Sequence, residues 1–240
     1  MNRLPDKPKV AWLSFWAILA TVLLFFPVMI SALLSSTGNL PFSISRVWAW
    51  IMFKAIACRV SIRGRERIRK GQSYVIVSNH QSQVDILALV TCLGIQFRWV
   101  IKKELLKLPL FGYALYASRN IFIDRSNPDQ AMKSVRQGME RLPPGTSVLF
   151  FAEGTRSPDG RIQEFKKGAF VAALEAGLPI LPVTVNGSRK ILPKRSLAFQ
   201  PGRVEVVVGG PISPQGFSRD HLDELVGKTR DVIISQFVSG

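Results

Sequence analysis

Cysteine and histidine are scarce in this 240-residue chain, with two of each. Cys58 lies in an apolar, membrane-type segment and Cys92 on an apolar helical run. The pair therefore supports neither a disulfide framework nor a zinc site, and neither thiol has the polar setting of a nucleophile. No Gly-x-Ser-x-Gly occurs, which excludes the serine elbow of α/β-hydrolases. Without Gly-x-Gly-x-x-Gly or a Walker-type loop, the chain also lacks the phosphate cradles of nucleotide-cofactor folds. Repeats and low-complexity tracts are missing too. Acidic residues number half the basic ones, 16 against 32, giving a net charge of +16 and a pI near 10.5. Such an excess calls for an anionic partner: lipid, nucleic acid or a phosphorylated substrate.

The N-terminus selects among these partners. From Ala11 to Leu34 there are 24 residues without a charge, a length that as helix covers roughly 36 Å and suits a bilayer. The stretch is too long for a secretory signal peptide and lacks a small-residue cleavage site, so it is expected to be retained. Arg3, Lys7 and Lys9 precede it. After a turn-like Ser35–Pro41 comes a second apolar segment, Phe42 to Cys58, carrying Trp48 and Trp50, and then Arg59, Arg63, Arg65, Arg67, Arg69 and Lys70. Basic flanks on both sides place both on the cytoplasmic face and predict a helical hairpin that dips into the membrane or passes through and back. Pro27 is a candidate kink.

What remains is one sharply informative run, Asn79-His80-Gln81-Ser82-Gln83-Val84-Asp85. It follows the β-branched Tyr74–Val77 and leads into Val84–Val90, which is apolar at helical spacing, so His80 falls in a strand-to-helix turn. Turns of this kind are where α/β proteins place reacting groups. His80 and Asp85 read as a base and its orienting acid. Ser82 with Asp85 also reads as a capping box, which accounts for the carboxylate but not for the imidazole. The other histidine, His221, lies beside Asp220 and Asp223 in a solvated helix start.

Three more segments join this one. Lys102-Lys103-Glu104-Leu105 with Pro109 and Gly112 leads to Phe122-Ile123-Asp124-Arg125. Next come Phe151-Ala152-Glu153-Gly154-Thr155-Arg156-Ser157 and Phe165–Ala169, and last Leu181-Pro182-Val183. In this order, the four blocks resemble those of the glycerolipid acyltransferase family over most of the chain. One departure is Ala152, where family members often have Pro. The resemblance implies transfer of a fatty acyl group from a thioester, acyl-CoA or acyl-ACP (acyl carrier protein), to the 2-hydroxyl of lysophosphatidic acid, with no further cofactor and no metal. It assigns Lys102, Arg125, Glu153, Gly154, Thr155 and Arg156 to binding the glycerol phosphate.

The residues fit that chemistry. An alcohol needs a base to take its proton as it attacks, and an imidazole of pKa near 6.5 suits the task. Asp85 would fix the tautomer and stabilise the imidazolium. A phosphomonoester asks for Arg forks, and Arg125 and Arg156 follow strand-like segments that bring them near His80, as Lys102 follows Arg98–Ile101. Main-chain amides near Gly154, or at the helix start after Ser82, are the candidates for holding the oxyanion.

Strand and helix patterns alternate from Val60 onward, so the expected fold is α/β: a mixed, mostly parallel sheet flanked by helices, with an N-terminal membrane-embedded two-helix hairpin. The expected division is 1–58 as anchor and 59–240 as catalytic domain. The expected partners are lysophosphatidic acid, the acyl thioester and anionic membrane lipid, with no nucleic acid, at the cell membrane with the catalytic domain on the cytoplasmic face. Two alternatives stand beside this: an acyltransferase for another lysophospholipid or an amino-acid-derived lipid, and a non-catalytic basic protein that clings to anionic membrane or nucleic acid.

Overall fold

A computed structural model describes residues 7–194, 196 and 198–238. The uncharged N-terminal run forms α1 (Lys7–Leu34), continuous through Pro27, and Ser35–Gly38 turns the chain into α2 (Asn39–Ala55). Gly38 has a φ of +73°, and the Arg119 side chain packs where its Cβ would be. The two helices form the expected hairpin, tied by the Trp12 indole donating to the Ala55 carbonyl (2.8 Å) and the Trp48 indole donating to the Thr21 hydroxyl (3.1 Å). They differ in what they bury. In α1 only Ala20, Val28 and Ser31 are buried, whereas Trp12, Phe15, Leu23, Phe26 and Leu33 are exposed; by length and composition α1 can cross a membrane. In α2, Phe42, Ala49 and Phe53 join the main core. Arg3, counted with the basic flank, lies outside the described residues.

The remaining elements are β1 (Cys58–Arg63), β2 (Val75–Ser78), α3 (Val84–Cys92), β3 (Phe97–Lys102), α4 (Phe111–Ala117), β4 (Ile121–Ile123), α5 (Pro128–Glu140), β5 (Ser147–Phe151), α6 (Gly168–Ala176), β6 (Ile180–Asn186), α7 (Ser188–Ile191), β7 (Gly202–Val208) and α8 (Leu222–Gln236). They build a seven-stranded sheet of order β1-β7-β6-β2-β5-β3-β4. The last five strands of that order run parallel; β7 is antiparallel to β6, and β1 is parallel to β7. The sheet is thus mixed and mostly parallel, with helices on both faces. On β2, Ile76 faces a core shared with α2 and α3, while Val75 and Val77 face one shared with α6 and α8.

Cys58 opens an edge strand rather than ending an apolar helix. Its strand alternates, with Cys58, Val60 and Ile62 half-buried and Arg59, Ser61 and Arg63 exposed. That is the two-residue period of a half-covered strand, and arginines on its outer face discourage edge pairing.

Arg98 fastens the hairpin to the sheet. This fully buried arginine on β3 donates to the carbonyls of Phe97 (2.9 Å) and Thr37 (3.0 Å), to Asn39 Oδ1 (2.6 Å) and to Gln96 Oε1 (3.2 Å). Its guanidinium lies 5.2 Å from the Phe42 ring centroid. Burial without a carboxylate partner lowers its pKa to about 10, as desolvation of a cation must. Arg46 adds a bond to the Ile95 carbonyl (2.8 Å). The opposite ends of the five parallel strands, at Ser78, Lys102, Ile123, Phe151 and Asn186, open on a single edge of the sheet.

Candidate active site

The turn after β2 is built by side chains acting as backbone. Asn79 extends the ladder onto β6, its amide donating to the Val185 carbonyl (2.9 Å) and its Oδ1 accepting from the Val185 N–H (2.8 Å). The chain then leaves the sheet, and His80 Nδ1 meets Asp85 Oδ2 at 2.8 Å, with the carboxylate fully buried. The same oxygen accepts the N–H groups of Gln81 (2.7 Å) and Ser82 (2.8 Å). The Ser82 hydroxyl accepts from the Val84 N–H (3.1 Å) and donates to the Leu192 carbonyl (2.7 Å). The cap and the His/Asp pair are therefore one structure, since a single carboxylate oxygen closes the helix start and orients the ring. An ionised aspartate only accepts, so Nδ1 carries the proton and Nε2 is left as an acceptor. The imidazole lies flat on Phe151, with centroids 3.7 Å apart and planes 10° apart, and Phe151 stacks in turn on Trp99 at 5.6 Å.

The loop after β5 grips His80 at both ends of its backbone. Glu153 Oε1 accepts the His80 N–H (2.6 Å), and the His80 carbonyl accepts the Ser157 N–H (2.8 Å). Glu153 Oε2 accepts the Gln163 N–H (3.0 Å). Assigned by resemblance to the glycerol phosphate, Glu153 is buried with both oxygens committed to main-chain N–H groups. Burial pushes its pKa up to about 7, outweighing the pull of those two N–H groups; Asp85 pushes the same way, and Arg230 opposes it.

The cations gather on the next three residues. Gly154 has a φ of +70°, and the Lys166 side chain lies where a Cβ would project. Arg125, beyond β4, donates to the Gly154 carbonyl (2.5 Å). Lys194 donates to the Arg156 carbonyl and stands 3.5 Å from the Thr155 hydroxyl. Arg156 is half-buried and Thr155 exposed. Lys102 is exposed at the end of β3, 3.8 Å from Glu104, while Lys103 pairs with Asp124, holding that carboxyl well below the usual range. The structure thus brings Arg125, Gly154, Thr155 and Arg156 together, sets Glu153 beneath His80 and leaves Lys102 at the rim.

Sequence reasoning missed Phe151 as the floor under the imidazole, and it missed Lys194. The first is marked only by an aromatic at a strand end, and the second has no local mark. The amides expected to hold an oxyanion are already bonded: Gly154 to the Phe151 carbonyl, Val84 to the Ser82 hydroxyl, and Asp85 and Ile86 to the carbonyls of Ser82 and Gln83. Burial raises the Cys58 and Cys92 thiols to about 11, far from nucleophilic. Among the described residues no acidic, histidine and cysteine groups cluster to hold a metal.

Behind the site lies an apolar cavity of about 110 Å³ between α1, α2, α3 and α4, lined by Phe25, Trp48, Leu87, Phe111 and Trp99. Trp99 belongs both to this cavity and to the stack beneath His80.

A family model described as Acyltransferase matches residues 59–186. The chain is 38% identical over 168 residues to a 1-acyl-sn-glycerol-3-phosphate acyltransferase of Pseudomonas aeruginosa, covering 70% of this chain and 64% of that protein. It is 36% identical to a chloroplastic 1-acyl-sn-glycerol-3-phosphate acyltransferase of Arabidopsis thaliana, covering 70% of this chain and 48% of that one. A Limnanthes douglasii 1-acyl-sn-glycerol-3-phosphate acyltransferase is 31% identical, with 91% and 75% covered. The chain spans about half the length of the chloroplastic relatives. The crystal structure of the 1-acyl-sn-glycerophosphate acyltransferase PlsC from Thermotoga maritima superposes with a TM-score of 0.83 at 26% identity, covering 96% of this chain and 94% of that one. The fold, the four blocks and these matches agree: the chain belongs to the acyltransferase family.

Proposed function

We propose that this chain transfers a fatty acyl group from acyl-CoA or acyl-ACP to the 2-hydroxyl of 1-acyl-sn-glycerol 3-phosphate, lysophosphatidic acid, giving phosphatidic acid. The observation that carries the reading is the His80 Nδ1 to Asp85 Oδ2 bond, which leaves Nε2 as a base at the sheet edge where Arg125 reaches the Gly154 carbonyl, two residues before Arg156. The names of the relatives supply the acceptor.

Nε2 takes the hydroxyl proton as the oxygen attacks the thioester carbonyl, and Asp85 stabilises the imidazolium that forms. Collapse of the tetrahedral oxyanion breaks the carbon–sulfur bond, and the imidazolium returns the proton to the leaving thiolate. No covalent acyl-enzyme is involved. The phenyl face of Phe151 holds the ring flat as the proton comes and goes, and Glu153 and the Ser157 N–H fix its backbone. Arg125, Thr155 and Arg156 take the phosphate, with Lys102 at the rim. Residues 1–58 serve as the anchor, placing 59–240 at the anionic, cytoplasmic face of the cell membrane; the outward apolar face of α1 supports this.

The test is thiol release from palmitoyl-CoA by detergent-solubilised protein, with and without lysophosphatidic acid. His80→Ala should lower kcat by roughly 1,000-fold or more, whereas Arg125→Ala or Arg156→Ala should chiefly raise the acceptor KM. Release that ignores the acceptor, or equal kinetics for all three variants, refutes the assignment. A panel of other lyso-lipids identifies a different acceptor, and salt-reversible vesicle binding with no thiol release from either donor would mark a non-catalytic membrane protein.

A further inference from the structure

Lys194 belongs to none of the four blocks and falls beyond the family-matched segment 59–186. It follows Pro193 in the loop after α7, and the fold swings it back onto the loop that follows β5. Its ammonium donates to the Arg156 carbonyl and stands within reach of the Thr155 hydroxyl. Neither partner carries a charge, and among the described residues no carboxylate pairs with it. An ammonium has three N–H groups; two are directed at these oxygens and the third is left for a ligand.

The same contacts prepare the neighbours. A hydroxyl that accepts from a lysine keeps its own proton for donation, so Lys194 turns Thr155 into a donor. Arg125 approaches the loop as well, through the Gly154 carbonyl, using one of its five N–H groups. Arg125 and Lys194 therefore bring two positive charges onto the carbonyls of Gly154 and Arg156, in a loop that carries Arg156 itself. Glu104 is the acidic group that acts on Arg125, and an anion bound between Arg125 and Lys194 is attracted to both.

We propose that Lys194 is a further binding residue for the acceptor's phosphomonoester, completing with Arg125, Thr155 and Arg156 a site that neutralises its nearly two negative charges. The inference rests on lysophosphatidic acid as acceptor. The same phosphomonoester chemistry occurs on the ribose of coenzyme A, and the assay separates the two sources.

Steady-state kinetics of Lys194→Met and Lys194→Arg are measured with acceptor and palmitoyl-CoA varied in turn. Losing a charge-assisted hydrogen bond is expected to raise the acceptor KM of Lys194→Met roughly tenfold or more. The donor KM and kcat should stay within about twofold, and Lys194→Arg should recover most of the loss. A rise confined to the donor KM, or a fall in kcat with the acceptor KM unchanged, overturns the proposal; the second result would mean that Lys194 only supports the loop.

A binding arm runs on His80→Ala protein, read by tryptophan fluorescence with lysophosphatidic acid and with monoacylglycerol, which lacks the phosphate. Adding Lys194→Met should weaken only the phosphorylated lipid, by the same factor. Equal weakening of both lipids, or of neither, overturns the inference. Wild-type protein that binds lysophosphatidic acid through Lys194 yet releases no thiol would sink the proposed reaction and leave the phosphate site standing.

Discussion

Glu153 offers a quantitative test of how His80 is held. Burial keeps this carboxyl at a pKa of about 7 in the folded protein, against 4.5 for an ordinary glutamate. Between those values the folded chain keeps the proton and the unfolded chain loses it. The folded state thus binds more protons, and stability falls as pH rises through the window. The contribution is fully present below 4.5 and gone above 7. At about 1.4 kcal/mol per pH unit, the gap corresponds to about 3 kcal/mol. Glu153→Gln removes the titration while keeping one carbonyl oxygen for the His80 N–H. Urea unfolding of the detergent-solubilised wild type and variant is followed from pH 4.5 to 8. The stability of wild type relative to the variant should fall by about 3 kcal/mol across that range. Parallel curves would refute the reasoning, because a carboxylate open to a substrate cleft titrates near its ordinary value and leaves no such difference.

Two further predictions concern single side chains. Asp85→Asn sets its carboxamide oxygen where the Gln81 and Ser82 N–H groups already point, so Nδ1–H keeps an acceptor but the imidazolium loses its charged partner; kcat should drop by roughly tenfold or more with the acceptor KM little changed, and a KM effect alone would count against the dyad. Arg98→Met leaves the Thr37 and Phe97 carbonyls and Asn39 Oδ1 without their donor. It should lower stability by about 3 kcal/mol and speed protease cleavage at Ser35–Gly38, both checked on detergent-solubilised protein.

The parts of this fold that were legible share one property, that the deciding contacts are local. β2 and α3 follow from a β-branched run and a helical period on either side of His80. The start of α5 follows from Asn127, whose side chain accepts the Gln130 N–H ahead of Pro128. The pairing of His80 with Asp85, and the approach of Arg125 to the loop that carries Arg156, were legible because these residues sit at or near strand ends. Other features depend on contacts between distant segments. Val204–Val208 reads as a strand, but its direction against β6 depends on how the intervening loop turns. β1 carried a two-residue period hidden between an apolar segment and a run of arginines. The burial of Glu153 depends on main-chain groups of His80 and Gln163, and Lys194 reaches the site only because that intervening loop folds back. No local pattern encodes either approach.

Asp85 Oδ2, accepting from two main-chain amides and one imidazole, has a consequence for reading related chains. Under the proposed reaction, a descendant that abandoned acyl transfer would lose nothing by replacing His80, yet it would still need the aspartate to begin α3. The carboxylate would outlive the chemistry. In any sequence with this turn, an aspartate at this position reports only that the helix starts here, and under the proposed reaction the imidazole is the residue that distinguishes a working enzyme from a silent copy.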